Sequence, residues 1–127
     1  MASHSEPRIY LFKHTAAIAK GKAVKISGAA GDTVVVGAAN TDRCIGIVQN
    51  EASSSLEGAE VALPGGGAKA LAGEAISAGD YLCSHTDGRL VKVNAEGDHI
   101  IAIAMQDAAE NDLFAVEVVV ATAHAGL

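Results

Sequence analysis

The sequence predicts an all-β fold: a small β-barrel or β-clip-like domain made from two pseudo-repeated β-units, preceded by an N-terminal arm. Three observations carry this. Short runs rich in Val, Ile and Ala alternate with turn clusters of Gly, Asp and Asn along most of the chain. Only "DAAEN" (107–111) reads as a single helical turn, and no other segment keeps a helical apolar spacing. The order of the β-runs also occurs twice, at a spacing near 57 residues.

The elements follow in order. "MASHSEPR" (1–8) is polar, contains Pro7 and reads as an arm. "RIYLFKH" (8–14) alternates as an edge strand, with Ile9, Leu11 and Lys13 on one face. "AVKIS" (23–27) and "TVVVGA" (33–38) flank the turn cluster "GAAGD". "RCIGIVQN" (43–50) is a strand with Gly46 inside it, and "GAEVAL" (58–63) is the next. Pro64 and three consecutive glycines in "PGGGAKALAGEA" break regular structure, so this stretch reads as a flexible connector between the halves. "DYLCSH" (80–85) and "RLVKV" (89–93) form a hairpin about Asp87-Gly88, a pair suited to a type I′ turn with positive φ at both residues. "HIIAIAMQ" (99–106) and "LFAVEVVVA" (113–121) close the domain.

The duplication rests on aligned phrases. "IAKGKAVKIS" (18–27) lies on "ISAGDYLCSH" (76–85), glycine on glycine at Gly21 and Gly79. "CIGIVQNEA" (44–52) lies on "IAIAMQDAA" (101–109), with Gln49 and Gln106 near the same place. Two such units predict a body in which each half covers the other's apolar face, and too few copies for a solenoid. The expected organisation is an arm and edge strand over 1–14, a β-domain over 15–122 with half repeats at about 15–63 and 73–121, and a C-terminal tail over 123–127.

Half of the 127 residues are hydrophobic, yet there is no Trp and only Tyr10, Phe12, Tyr81 and Phe114 are aromatic. A core of Ala and Val buries little area per side chain, which points to stability helped by association. The net charge of −6 lacks the basic footprint of a nucleic-acid binder. Its distribution is uneven: residues 1–25 sum to +4 and the remainder to −10. A basic end on an acidic body suits polar docking. The N-terminus lacks the apolar stretch of a signal peptide, and no apolar run reaches the roughly 18 residues of a membrane span. Synthesis in a cytoplasm is therefore expected, with Cys44 and Cys83 as buried thiols; whether the two lie close together the sequence leaves open.

The chemistry-bearing motifs point away from catalysis. "PGGGAKA" (64–70) lacks the Gly-Lys-Ser/Thr ending and the following helix of a phosphate loop. "CSHTD" (83–87) puts Cys83 and His85 on one strand face, but neighbours two apart diverge from the sheet and Asp87 belongs to the turn. His4, His14, His85, His99 and His124 have no metal-ligand spacing and read as scattered surface residues. Asp80, Asp87, Asp98, Asp107 and Asp112 stand at turns, where a short carboxylate bonds nearby backbone amides. No cofactor or metal is expected.

Taken together, "AGEAISAGDYLCSHTDGRLVKV" and "GDHIIAIAMQDAAENDLFAVEVVV" resemble the bacteriophage capsid decoration, or head-stabilising cement, protein family. The shared pattern is a Gly-Asp turn opening a strand, an Asp-Gly hairpin, an apolar strand, a small-residue loop and a closing valine strand. "AIAKGKAVKI", "CIGIVQNEA" and "GAEVAL" resemble the N-terminal portion of the same family. The likeness runs from about Thr15 to Val120 and leaves residues 1–14 outside it. It implies a non-enzymatic virion protein, made in the host cytoplasm, that binds the outer capsid surface and bridges major capsid protein subunits, often as a homotrimer. Neither nucleic acid nor membrane is an expected partner. Arg8, Tyr10, Phe12 and Lys13 are the expected capsid contact, because aromatic and Arg side chains anchor interfaces. The alternative is a β-clip ligand-binding domain or enzyme module, which "ISAGDYL" also resembles and which would need a pocket with convergent polar groups.

Overall fold

The computed structural model describes residues 8–27, 32–53 and 58–122, the last three by backbone alone. Residues 1–7 of the expected arm and the tail 123–127 lie outside the described residues. Ten strands make two sheets, and the described residues contain no helix. The first half holds β1 (Ile9–His14), β2 (Ala23–Ile26), β3 (Thr33–Val36), β4 (Gly46–Val48) and β5 (Ala59–Ala62). The second holds β6 (Gly67–Leu71), β7 (Tyr81–Ser84), β8 (Leu90–Lys92), β9 (His99–Ala104) and β10 (Leu113–Thr122).

The two halves share one pairing scheme. From its first strand, the first sheet runs β1-β5-β4-β2-β3, and the second runs β6-β10-β9-β7-β8. The first closes into a barrel through a short parallel pairing, Lys13 with Thr33 and His14 with Val34. The second is joined at the same place by one parallel bridge, Ala72 with Leu90. The antiparallel bridge Ile18–Ala52 has its counterpart in Ile76–Ala108. The repeat is therefore visible in the hydrogen bonds as well as in the wording of the sequence.

Strand alternation sorts the apolar side chains into two cores. Val24, Val34, Val48, Ala59 and Val61 fill the barrel with Ile18 and Ala52. Their strand neighbours Ala23, Ile47 and Ala62 face the other way and pack with Leu82, Leu90, Ile101, Phe114, Val116 and Val118 of the second sheet. Each half does cover the other's apolar face. Small residues at the seam let the backbones come close enough to bond directly. Leu71 N–H donates to the Gly21 carbonyl at 2.8 Å, and Ala23 N–H to the Gly88 carbonyl at 2.8 Å. The Gln49 side chain acts as a further strand residue: its amide donates to the Lys69 carbonyl at 3.0 Å, and its Oε1 accepts the Lys69 N–H at 3.0 Å.

Four expectations need correction. The connector after Pro64 is not irregular throughout, because residues 67–71 form β6 and pair with β10 from Leu113 to Glu117. Ala70 is fully buried there, so tertiary pairing overrides the local signal of the glycines. The second sheet thus begins at Gly67, ahead of residue 73. Residues 107–111 form no helical turn: Ala108 bridges to Ile76 and Asn111 takes a positive φ of +70°. The hairpin turn is not type I′, since Gly88 has φ +85° while Asp87 stays out of the left-handed region. His85 accepts from Gly88 N–H at 3.2 Å and donates to the Arg89 carbonyl at 2.9 Å, a wider loop ending in a glycine bulge. Asp87 is held by its own carboxylate, which accepts the Arg89 N–H at 3.2 Å and the Arg89 Nε–H at 2.8 Å.

The fourth concerns β1. It is an edge strand only in part: Ile9 to Phe12 pair with β5, and Lys13 and His14 pair with β3 to close the ring. A strand read in isolation cannot show which of its residues will find a second neighbour.

Candidate functional site

Along Ile9–Phe12, β1 has β5 on one side and no strand on the other among the described residues. Here the chain exposes three consecutive large apolar side chains, Ile9 at 45%, Tyr10 at 62% and Leu11 at 66%. A row of unpaired backbone groups with apolar side chains is a template for another chain, and native edges are normally short or charged to prevent that. Register places Tyr10 opposite Val61 and Phe12 opposite Ala59, and places Ile9 and Leu11 on the other face. Tyr10 and Phe12 stack with ring centroids 5.4 Å apart and a 58° tilt.

The four expected contact residues do not share one environment. Arg8 and Tyr10 are exposed, and the Arg8 guanidinium lies against Gly65, where an added Cβ would stand 3.2 Å from Nη1. Lys13 is exposed and meets Asp32 at 3.5 Å, a pair of little energetic weight in solvent. Phe12 is half-buried against the barrel core. It anchors the strand from below, while Tyr10 stacks on it and extends outward. Ile9 and Leu11 join the exposed surface on the opposite face.

The remaining candidate groups disperse. Cys83 is buried and its thiol is pushed up to about 12, first by burial. His85 begins the turn, is exposed, and has Nδ1 3.4 Å from the Thr86 hydroxyl. The strand ends at Ser84, so the two side chains do not form a nucleophile–base pair. Cys44 is also buried and unbridged, with its thiol pushed up to about 11, again first by burial. The five turn aspartates bond backbone amides as expected, in one case across the chain: Asp107 accepts from Ala78 N–H at 2.8 Å. Among the described residues no group of His, Cys, Asp and Glu is placed to hold a metal ion.

Two histidines depart from the surface reading. His14 is buried, with Nδ1 2.8 Å from the Ala16 carbonyl, and His99 is buried at the start of β9. His4 and His124 lie outside the described residues. No spacing in the sequence distinguishes His99, whose burial comes from the packing of the two halves.

With the geometry described, comparison with known proteins adds three findings. A family profile described as phage cement protein matches residues 4–121. Among solved structures, the head fiber gp8.5 N base of bacteriophage phi29 is similar, with a TM-score of 0.57 over 87% of this chain and 92% of that one. At 15% identity this likeness concerns the fold alone. No curated protein matches the sequence.

Proposed function

The chain belongs to the phage cement protein family, and from that premise we propose that it binds the outer surface of an assembled capsid and bridges neighbouring major capsid protein subunits. A structural, capsid-associated role in the virion comes with the family. The position on the outer surface, the bridging and the contact residues are the proposal. It is carried by one observation: the apolar, one-sided stretch Ile9–Phe12 of β1, flanked by the cations Arg8 and Lys13.

The physical action is adhesion. An extended capsid segment adds to the free side of β1 through main-chain hydrogen bonds, and Tyr10 and Leu11 supply apolar contact on the two faces. Arg8 and Lys13 choose an acidic neighbourhood and steer the approach. The remainder of the protein, which carries most of the acidic side chains, turns away from the shell. One contact of this kind is modest, on the order of 800 Å² per partner. Several copies acting together, as a homotrimer placed where capsid subunits meet, convert it into lasting reinforcement because each later contact forms at high effective concentration.

Deleting 1–13 does not test this cleanly, since it removes the strand that closes the barrel. The suitable variant is Arg8→Glu/Tyr10→Ser/Lys13→Glu, which leaves Phe12 and the β1–β5 register in place. It should melt within a few degrees of the unaltered protein and lose co-sedimentation with phage heads. Undiminished co-sedimentation would refute the assignment of the contact.

A further inference from the structure

The repeat gives the contacts at the seam their counterparts, and one of these is left bare. Gln49 and Met105 each follow an inner strand, with Gln49 N–H donating to the Glu60 carbonyl at 2.8 Å and Met105 N–H to the Ala115 carbonyl at 2.9 Å. β1 and β6 correspond as well. The Arg8 carbonyl accepts from Leu63 N–H at 2.7 Å and the Gly66 carbonyl from Val118 N–H at 2.9 Å, which matches Leu11 to Lys69 and Lys13 to Leu71. In the first half, β6 covers the face that carries Gly21 and Gln49: Leu71 roofs Gly21, and the Lys69 backbone bonds the Gln49 amide. In the second half the matching face has no such cover. Nothing stands within 4 Å of a Cβ placed on Gly79, and Met105 is 61% exposed. β1, the counterpart of β6, is bare too, with Leu11 exposed and no strand beside it on the free side among the described residues.

We propose that the face around Gly79 and Met105 receives β1 of a second copy of this chain, with Leu11 lying on Met105 and Lys13 beside Asp80 and Asp107. Charge selects this pairing. Asp80 accepts from Ser77 N–H at 2.9 Å and Asp107 from Ala78 N–H at 2.8 Å, so both carboxylates flank the Gly79 turn. The first half carries Lys20 and Lys22 at the places of Ala78 and Asp80, where Lys13 would meet like charge. Lys13 is free to turn, since its 3.5 Å pair with Asp32 is mostly exposed on both sides. The intramolecular contact is not copied in full. Lys13 N–H already donates to the Asp32 carbonyl, and Met105 has no side-chain amide, so side chains rather than main-chain bonds make the contact. It joins two different surfaces, which gives a ring or a chain of copies rather than a two-fold dimer. It also covers the apolar edge of β1 while the protein is free, a liability that soluble proteins manage. The contact does not depend on the capsid-binding reading; a capsid segment would compete for the same edge.

Mixing two disabled variants tests this. In sedimentation equilibrium the unaltered protein should gain mass with concentration, and gain less in high salt. Met105→Glu spoils the face and Leu11→Glu spoils the strand; each should weaken self-association by about tenfold or more. Both positions are exposed, and thermal melts verify that each variant is folded. Mixed together, the two should form a one-to-one pair, because one keeps an intact strand and the other an intact face. A protein that stays monomeric throughout, or a mixture that forms no pair, overturns the proposal. Self-association that survives Met105→Glu also overturns it and assigns the contact to β1 meeting β1. On phage heads, Met105→Glu keeps its β1 and should bind at least as well as the unaltered protein. Lost binding would place the face against the shell and overturn the second copy as its occupant. Failure of the unaltered protein to bind heads would instead sink the capsid-binding reading, and the mixing experiment would still decide the contact between copies.

Discussion

Gly21 and Gly79 hold the same left-handed backbone, with φ of +90° and +93°, but only Gly21 is roofed by the other half of the protein. A Cβ at Gly21 would lie 2.7 Å from Leu113 Cδ2 and 2.9 Å from the Leu71 backbone nitrogen, while one at Gly79 would meet nothing within 4 Å. The two positions separate the cost of conformation from the cost of contact. Gly79→Ala should lose about 1–2 kcal/mol, the penalty for an L side chain in this region. Gly21→Ala should lose that and more, because the Leu71 backbone, which cannot swing aside as the Leu113 side-chain tip can, also blocks the methyl, for a total of about 3–5 kcal/mol. Urea unfolding of both variants checks this, and equal losses would contradict the packing of β6 against the Gly21 turn.

That pair also marks how far the sequence could be read. Gly21 and Gly79 aligned because each opens a strand, and a positive φ leaves its mark on the residue type. The valine and isoleucine strands were legible for the same local reason. β6 was not, because Gly67, Ala68 and Ala70 have weak strand preference and are ordered by β10, far along the chain. The exposed run on β1 was partly legible as an edge with aromatic and basic residues. Its one-sidedness depends on where β3 joins, at Lys13 and His14, which no local pattern encodes. His99 left no mark at all: one imidazole before an apolar strand reads the same whether the seam buries it or not.

Asp42 and Asp98 occupy matching turns and should differ in what they hold. Asp98 is 1% exposed; its Oδ2 accepts from Asn94 N–H at 3.1 Å and Ala95 N–H at 3.3 Å, and its Oδ1 accepts from the Asn40 amide of the other half. Asp42 accepts from Ala38 N–H at 2.8 Å and Ala39 N–H at 3.1 Å and pairs with Lys25 at 2.9 Å, nearer the surface. Asp98→Ala removes a buried carboxylate that ties donors of both halves together and should cost about 3 kcal/mol, against about 1 kcal/mol for Asp42→Ala, which holds only its own turn and one lysine nearer the surface. Denaturant midpoints at pH 7 decide it; a larger loss at Asp42 would reverse the argument.

Acid should expose the Asp42 contribution. The Ala38 amide, then Lys25, hold its carboxyl below the usual 3.8. A carboxyl with a depressed pKa in the folded state contributes stability that is present above the unfolded value and lost as pH falls through the folded one. Asp42→Asn should therefore flatten the fall in stability below about pH 4 relative to the unaltered protein. Parallel acid limbs in the two proteins would show that the carboxylate is not linked to folding.

The thiols should act at the other end of the scale. Cys44 and Cys83 are held neutral in the folded protein, up to about 11 and about 12, whereas the ordinary value is 9.0. At pH 8 a Cys44 thiol at about 11 has a thiolate population roughly 100-fold below that of an ordinary cysteine, and Cys83 lower still, so a disulfide reagent should react only as the protein unfolds. The unfolded chain loses these protons near pH 9 while the folded chain keeps them, so the unfolded state binds fewer protons and stability falls as pH rises from there. The slope is bounded at about 1.4 kcal/mol per pH unit for each thiol. Every other side chain is common to the two proteins, so the comparison of slopes is what matters. Cys83→Ala should be less stable at pH 7 through the lost packing, yet decline less steeply between pH 9 and 11 when urea midpoints are followed. An unchanged slope, or rapid labelling of the folded protein at pH 8, would mean that the seam admits water to the thiols and that the two halves are not closed over them.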